Sequence, residues 1–161
     1  MKRWYAAHCK PRQDERAEEN LLNQGYEVFR PRVRIRKNGK TVVESMFPRY
    51  LFIRLDDQGQ EDWSPIRSTR GISDLVRWGS HVPHVPDSII EGLYDRLDAA
   101  GCIELCKDFQ PNQRVRITEG PFAGYEALFH ARNGEERVIV LLNVMQQAQK
   151  LSVPATAVVE A

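Results

Sequence analysis

Arg30, Arg32, Arg34 and Arg36 alternate along the sequence, with Lys37 and Lys40 just beyond them. Alternate residues of an extended strand share one face and repeat every ~6.7 Å. Phosphates on an extended nucleic-acid strand are spaced comparably, so the stripe can track such a backbone and release its counterions. Contacts of this kind hold a polyanion without reading its sequence. The competing use of the stripe is a solvated hairpin face, and Pro31 within it predicts an edge strand. A second basic group comprises Lys10, Arg12, Gln13 and Arg16, and the loop Arg67-Ser68-Thr69-Arg70-Gly71 is a third. Arginine, lysine and glutamine present forked or paired donors to base edges, and glycine lets a backbone approach closely. The same cations can instead be used up by Glu15, Glu18 and Glu19 in surface ion pairs.

Metal and nucleophile chemistry fit less well. His81, His84, Cys102 and Cys106 are four potential ligands, but Pro83 breaks any helical alignment and Cys-x₃-Cys is a poor structural zinc spacing. His8 and Cys9 are neighbours on a strand and point to opposite faces, which removes a Cys–His pair. With no phosphate loop and no paired-carboxylate pattern, the sequence predicts a non-enzymatic protein that needs no cofactor and no metal.

The composition agrees with a binding role. The chain has 161 residues, 42% hydrophobic and 28% charged, which predicts one mid-sized or two small globular units. No run approaches the ~20 apolar residues of a membrane span. Met1-Lys2-Arg3-Trp4-Tyr5 leads into no apolar h-region, which predicts no secretory signal. Three cysteines predict a reducing, cytoplasmic setting. The net charge of +1 hides an asymmetry: residues 1–55 carry 13 Lys/Arg against 6 Asp/Glu, and the rest 10 against 16. Such asymmetry is what a chain with one polyanion-facing lobe would show.

The elements that must position these groups follow from periodicity. Arg3–Lys10 alternates, with Trp4, Ala6 and His8 opposite Tyr5, Ala7 and Cys9, and Pro11 ends the strand. Asp14 is placed to cap a helix bearing Ala17, Leu21 and Leu22 that stops at Gly25. Tyr26–Phe29 is extended, and Asn38-Gly39 between Val33–Lys37 and Thr41–Glu44 predicts a type I′ hairpin. Phe47–Ile53 reads as a central strand and Ile72–Trp78 as another. Ser88 and Glu91 have capping-box spacing before a helix carrying Ile89, Ile90, Leu93 and Leu97. The order predicts an α+β sandwich over residues 1–100 and a linker over 101–110. In 111–161, short strands at Arg114–Thr118, Ala127–Ala131, Arg137–Leu142 and Ala157–Glu160, punctuated by Gly120-Pro121, Gly124 and Asn133-Gly134, predict a small β-barrel. Leu141, Val144, Met145, Ala148 and Leu151 also satisfy helical spacing, as do Phe122, Tyr125, Leu128 and Phe129, so a helical alternative stands beside the barrel.

Two stretches resemble a known family. Val115–Ala127, containing Ile117-Thr118-Glu119-Gly120 and Gly124, is similar to a KOW motif. Trp4-Tyr5, Phe47-Pro48-Arg49-Tyr50-Leu51-Phe52 and Ile66–Ile72 resemble the N-terminal domain of the NusG family of transcription elongation factors. Cys9-Lys10, Thr69-Arg70-Gly71 and Leu141-Leu142-Asn143 are similar to its specialised RfaH subgroup. That resemblance implies a NusG N-terminal sandwich and a KOW-like five-stranded barrel, with a helical hairpin docked on the first domain as the alternative state. It implies a monomeric antitermination factor that suppresses pausing and termination. RNA polymerase clamp helices would bind His8, Tyr50, Phe52, Ile90 and Leu93. The exposed non-template DNA strand would be read by Lys10, Gln13, Arg16, Thr69, Arg70 and Gly71. Glu44 and Arg137 would link the domains, and Phe122, Phe129, Leu141 and Met145 would cover the polymerase patch. A small-subunit ribosomal protein is an implied partner of the KOW-like domain. A general NusG-like factor without DNA preference, or a KOW module binding RNA or the ribosome, are the alternatives.

Overall fold

The computed structural model of the chain describes residues 1–57, 63–104, 128, 131 and 133–152. Strand β1 (Lys2–Cys9) is its spine. It pairs antiparallel with β5 (Tyr50–Asp56) on one side and with β6 (Ile72–Leu75) and β7 (His84–Val85) on the other, while β2 (Glu27–Phe29) adds to β5. The expected central strand is thus interior, flanked by β2 and β1. Helix α1 (Asp14–Asn23) follows β1 and stops at Gly25, whose φ of +91° suits glycine.

Alternation along β1 and β5 divides the apolar side chains between two cores. Tyr5, Ala7, Cys9, Leu51, Ile53 and Leu55 pack on Ala17 and Leu21 of α1, and on Trp63 and Ile66 around the short helix α2 (Ser64–Arg67). Trp4, Ala6, Phe29 and Phe52 face the other way, onto Ile89, Ile90 and Leu93 of α3 (Asp87–Asp95). A second sheet closes this side: β3 (Arg32–Lys37) and β4 (Lys40–Ser45) form the hairpin, and β8 (Cys102–Glu104) pairs parallel to β3. Asn38 and Gly39 both take positive φ, 51° and 77°, as the type I′ turn requires.

The last described element, helix α4 (Gly134–Ser152), completes the same core with Leu141, Val144 and Met145. Among the described residues no helix is long and apolar enough to cross a membrane.

Several expectations are corrected. Arg137–Leu142 is helix, not strand, which is the helical alternative. Asn133-Gly134 starts that helix instead of turning a hairpin: the Asn133 Oδ1 accepts the Glu136 N–H at 2.8 Å, and Glu135 and Glu136 occupy the first turn. Asp14 and Ser88 lie inside their helices, which begin after Gln13 and Pro86 with no side-chain cap. Cys102–Glu104 is strand β8, not linker. β3 is the middle strand of its sheet, because Pro31 precedes it and loses nothing there; the Pro31 carbonyl accepts the Met46 N–H. Of the other strand candidates of 111–161, Ala127–Ala131 is described only at Leu128, which is helical, and at Ala131, which is in no strand; Arg114–Thr118 and Ala157–Glu160 lie outside the described residues.

Candidate functional site

The end of β1, helix α1 with the residue that follows it, and the loop before β6 are stitched into one surface. The Lys10 N–H donates to the Gly71 carbonyl at 2.8 Å, and the Gln13 N–H returns to the Lys10 carbonyl at 3.0 Å across the Pro11-Arg12 turn. From α1, the Asn20 amide donates to the Arg70 carbonyl at 3.1 Å and the Gln24 amide to the Thr69 hydroxyl at 2.8 Å. Gly71 has φ +97°, and a Cβ there would stand 2.8 Å from the Ala17 backbone nitrogen, so only glycine lets the loop lie flat on the helix. Lys10, Arg16 and Arg70 are exposed and Gln13 is half-buried, leaving their donors available to an anion or a base edge. Thr69 differs. It is only 6% exposed, and its hydroxyl donates to the Pro65 carbonyl while accepting from Gln24, so it shapes the loop.

The five expected polymerase-contact residues gather on the other core. His8 and Tyr50 are half-buried with ring centroids 4.9 Å apart. Burial, and secondarily the Arg49 charge, push the His8 imidazole below its ordinary value, so it is neutral at physiological pH. Phe52, Ile90 and Leu93 are fully buried in the cluster that includes Leu141, Val144 and Met145 of α4. Arg137, 2% exposed, anchors the helix: its Nε donates to the Met46 carbonyl at 2.7 Å and its Nη2 lies 3.6 Å from the Glu44 carboxylate. Desolvation pulls this guanidinium below its ordinary value, opposed by Glu44. Gly134 meets the Pro48 ring so closely that a Cβ would fall 2.4 Å from Cγ. Phe122 and Phe129 lie outside the described residues.

The arginine stripe is partly spent internally. Arg30 donates to the Ser45 hydroxyl at 2.7 Å and lies 3.4 Å from Glu18, while Arg34 binds Asp98 at 2.5 Å. The Cys102 amide foremost, and then Arg34, hold the Asp98 carboxyl below its usual range. Arg36 is exposed. Cys9 and Cys102 are buried free thiols, and Cys9, desolvated opposite His8's face, is pushed up to about 12. Among the described residues no three His, Cys, Asp or Glu side chains are grouped to hold a metal.

Sequence reasoning missed Gln24, Asp14 and Arg49 as site builders. Asp14 accepts the Arg49 N–H at 2.8 Å, a contact 35 residues away in sequence that no local pattern signals.

The family model described as transcription termination factor nusG matches residues 2–94. The transcription termination/antitermination protein NusG of Thermus thermophilus is 28% identical, covering 98% of this chain and 98% of that protein. Its namesake from Lactococcus lactis is 30% identical over 79% of this chain and 72% of its own length. A solved structure described as domain interaction in Thermotoga maritima NusG aligns at a TM-score of 0.40 and 22% identity, covering 58% of this chain and 55% of that one. A family match spanning β1 through α3, and so both the basic surface and most of the apolar patch, means that this chain belongs to the NusG family.

Proposed function

We propose that the chain is a non-enzymatic transcription elongation and antitermination factor of the RfaH type, working in the cytoplasm. Its units are an N-terminal domain that takes in β8 and so runs to residue 104, and a C-terminal domain over 111–161, joined by a linker. The N-terminal domain grips RNA polymerase through His8, Tyr50, Phe52, Ile90 and Leu93. It reads the exposed non-template DNA strand through Lys10, Gln13, Arg16 and Arg70, with Thr69 and Gly71 shaping the reading loop. In the resting chain α4 covers the polymerase patch, and the factor acts after the helix leaves.

One observation carries the reading: Phe52, Ile90 and Leu93 share a continuous buried cluster with Leu141, Val144 and Met145 of α4. A general elongation factor with a permanently open patch has no use for that cover. Exposed donors at one end of the sheet supply the second half, because an unpaired strand offers both base edges and phosphates.

Capture of RNA polymerase by the full chain and by Val144→Asp tests it. Val144 is nearly buried against the patch, and a carboxylate there opposes docking of α4. The variant should capture polymerase at lower protein concentration than the wild type. Equal capture would refute the cover, and no capture by either would refute the patch.

A further inference from the structure

Among the described residues three non-glycine residues take positive φ, and two of them are exposed arginines beside the DNA-reading surface: Arg12 at 62° and Arg49 at 71°. The third, Asn38, belongs to the hairpin turn. An L-residue with a long side chain is disfavoured in this region, where glycine is relaxed. Strain of this kind persists where the surroundings fix it, and it concentrates at functional sites.

The surroundings of Arg49 do fix it. Its N–H donates to the Asp14 carboxylate at 2.8 Å, its carbonyl accepts the Cys9 N–H at 2.6 Å, and its Nε donates to the Cys9 carbonyl at 3.3 Å. These bonds set Arg49 against the end of β1, one residue from Lys10. Among the described residues nothing bonds the guanidinium's two terminal nitrogens, which are placed to meet a ligand. The Asp14 carboxylate is turned onto the Arg49 backbone N–H. Arg12 lies in the turn closed by the Gln13–Lys10 bond. Lys10, Arg12, Arg16, Arg49 and Arg70 thereby become an arc of exposed cations drawn from three separate stretches of chain.

We propose that Arg12 and Arg49 grip phosphates of the single DNA strand, independently of its sequence, beside the residues that read its bases. The two arginines hold the backbone, and Arg16 and Arg70 meet base edges. This inference rests on the DNA-reading role proposed above and adds a site that such a role does not require.

The test is anisotropy of the full chain on mixed-sequence single-stranded DNA between 50 and 200 mM salt. Wild type is compared with Arg12→Gly/Arg49→Gly, and with Lys2→Gln as a control on an exposed cation at the opposite end of β1 from Lys10. Glycine relieves the positive φ, and an unchanged urea midpoint in the double variant separates loss of binding from a misfolded turn. On single strands each phosphate contact adds about 0.7 to the slope of log affinity against log salt. The double variant should lose affinity equally on all sequences, and its slope should fall by about 1.4. The wild type then weakens about sevenfold more than the variant across that salt range. Lys2→Gln should match the wild type. An unchanged slope in the double variant, with wild-type binding intact, overturns the phosphate grip alone. A sequence-dependent loss, or tighter wild-type binding to RNA of the same sequence, overturns it too. Absence of any wild-type binding overturns it together with the DNA-reading role.

Discussion

Glu44→Gln and Arg137→Met remove opposite ends of one ion pair, yet they should affect the docking of α4 unequally. At 3.6 Å the attraction is about 5 kcal/mol with an effective dielectric of 20. Burying the guanidinium costs several kcal/mol, so the two nearly cancel. Its Nη2 is buried without a hydrogen bond, which leaves the charge leaning on Glu44. Removing one partner of a fully buried pair costs about 3–5 kcal/mol. Glu44 is 31% exposed, so solvent screening reduces this to about 2 kcal/mol, or about thirtyfold in the docking equilibrium. Methionine at 137 removes the desolvation and the attraction together. It forfeits the bond to the Met46 carbonyl, at about 1 kcal/mol, and should land within about 1 kcal/mol of wild type. Native-state hydrogen exchange reads both: amides of residues 138–147 should lose about thirtyfold protection in Glu44→Gln and little in Arg137→Met, with α1 unchanged. Equal loss in the two variants would refute the reasoning, because the pair would then be a net source of docking energy.

Gly71→Ala should destabilise the chain by about 2 kcal/mol in urea titration, because the new Cβ meets the Ala17 backbone at 2.8 Å with φ at +97°; an unchanged midpoint would contradict the close approach. Arg70→Ala should cost about 1–3 kcal/mol of discrimination between DNA sequences if its contact is bidentate to a base, and uniform weakening would make it a phosphate contact. Cys9 should resist iodoacetamide at pH 8 in the folded chain, as mass spectrometry of its peptide would show, since burial pushes the thiol up to about 12. Its folded-state value is raised, so stability is full below the ordinary thiol value of 9.0 and falls as pH climbs from there towards 12. Rapid labelling at pH 8, or a flat stability profile above pH 9, would contradict that burial.

Local pattern was enough for β1, the Asn38-Gly39 hairpin and the Gly25 helix stop, because strand alternation and turn chemistry act within a few residues. β8 was hidden: three residues that pair parallel to β3 carry no period of their own. The signal for α4 was divided. Val138-Ile139-Val140 favours a strand, whereas Arg137, Leu141, Val144 and Met145 fall on one helical face, and contacts with the first hundred residues decide for the helix. At the basic surface the exposed donors were legible by type. The burial of Thr69, by contrast, depends on Gln24 and Pro65, which meet it only after folding.

The sheet through β1 and β5 is a bulkhead between two apolar compartments. Among the described residues, the compartment holding Leu21, Ile66 and Cys9 contains none from α4, so departure of that helix would unseal one side and leave the other dry. The basic arc is anchored to the dry side through Ala17 and Cys9. A chain stripped of its cover would therefore keep its basic arc in register while its greasy flank looked for a new neighbour, and until one arrived that flank would be the molecule's point of self-adhesion.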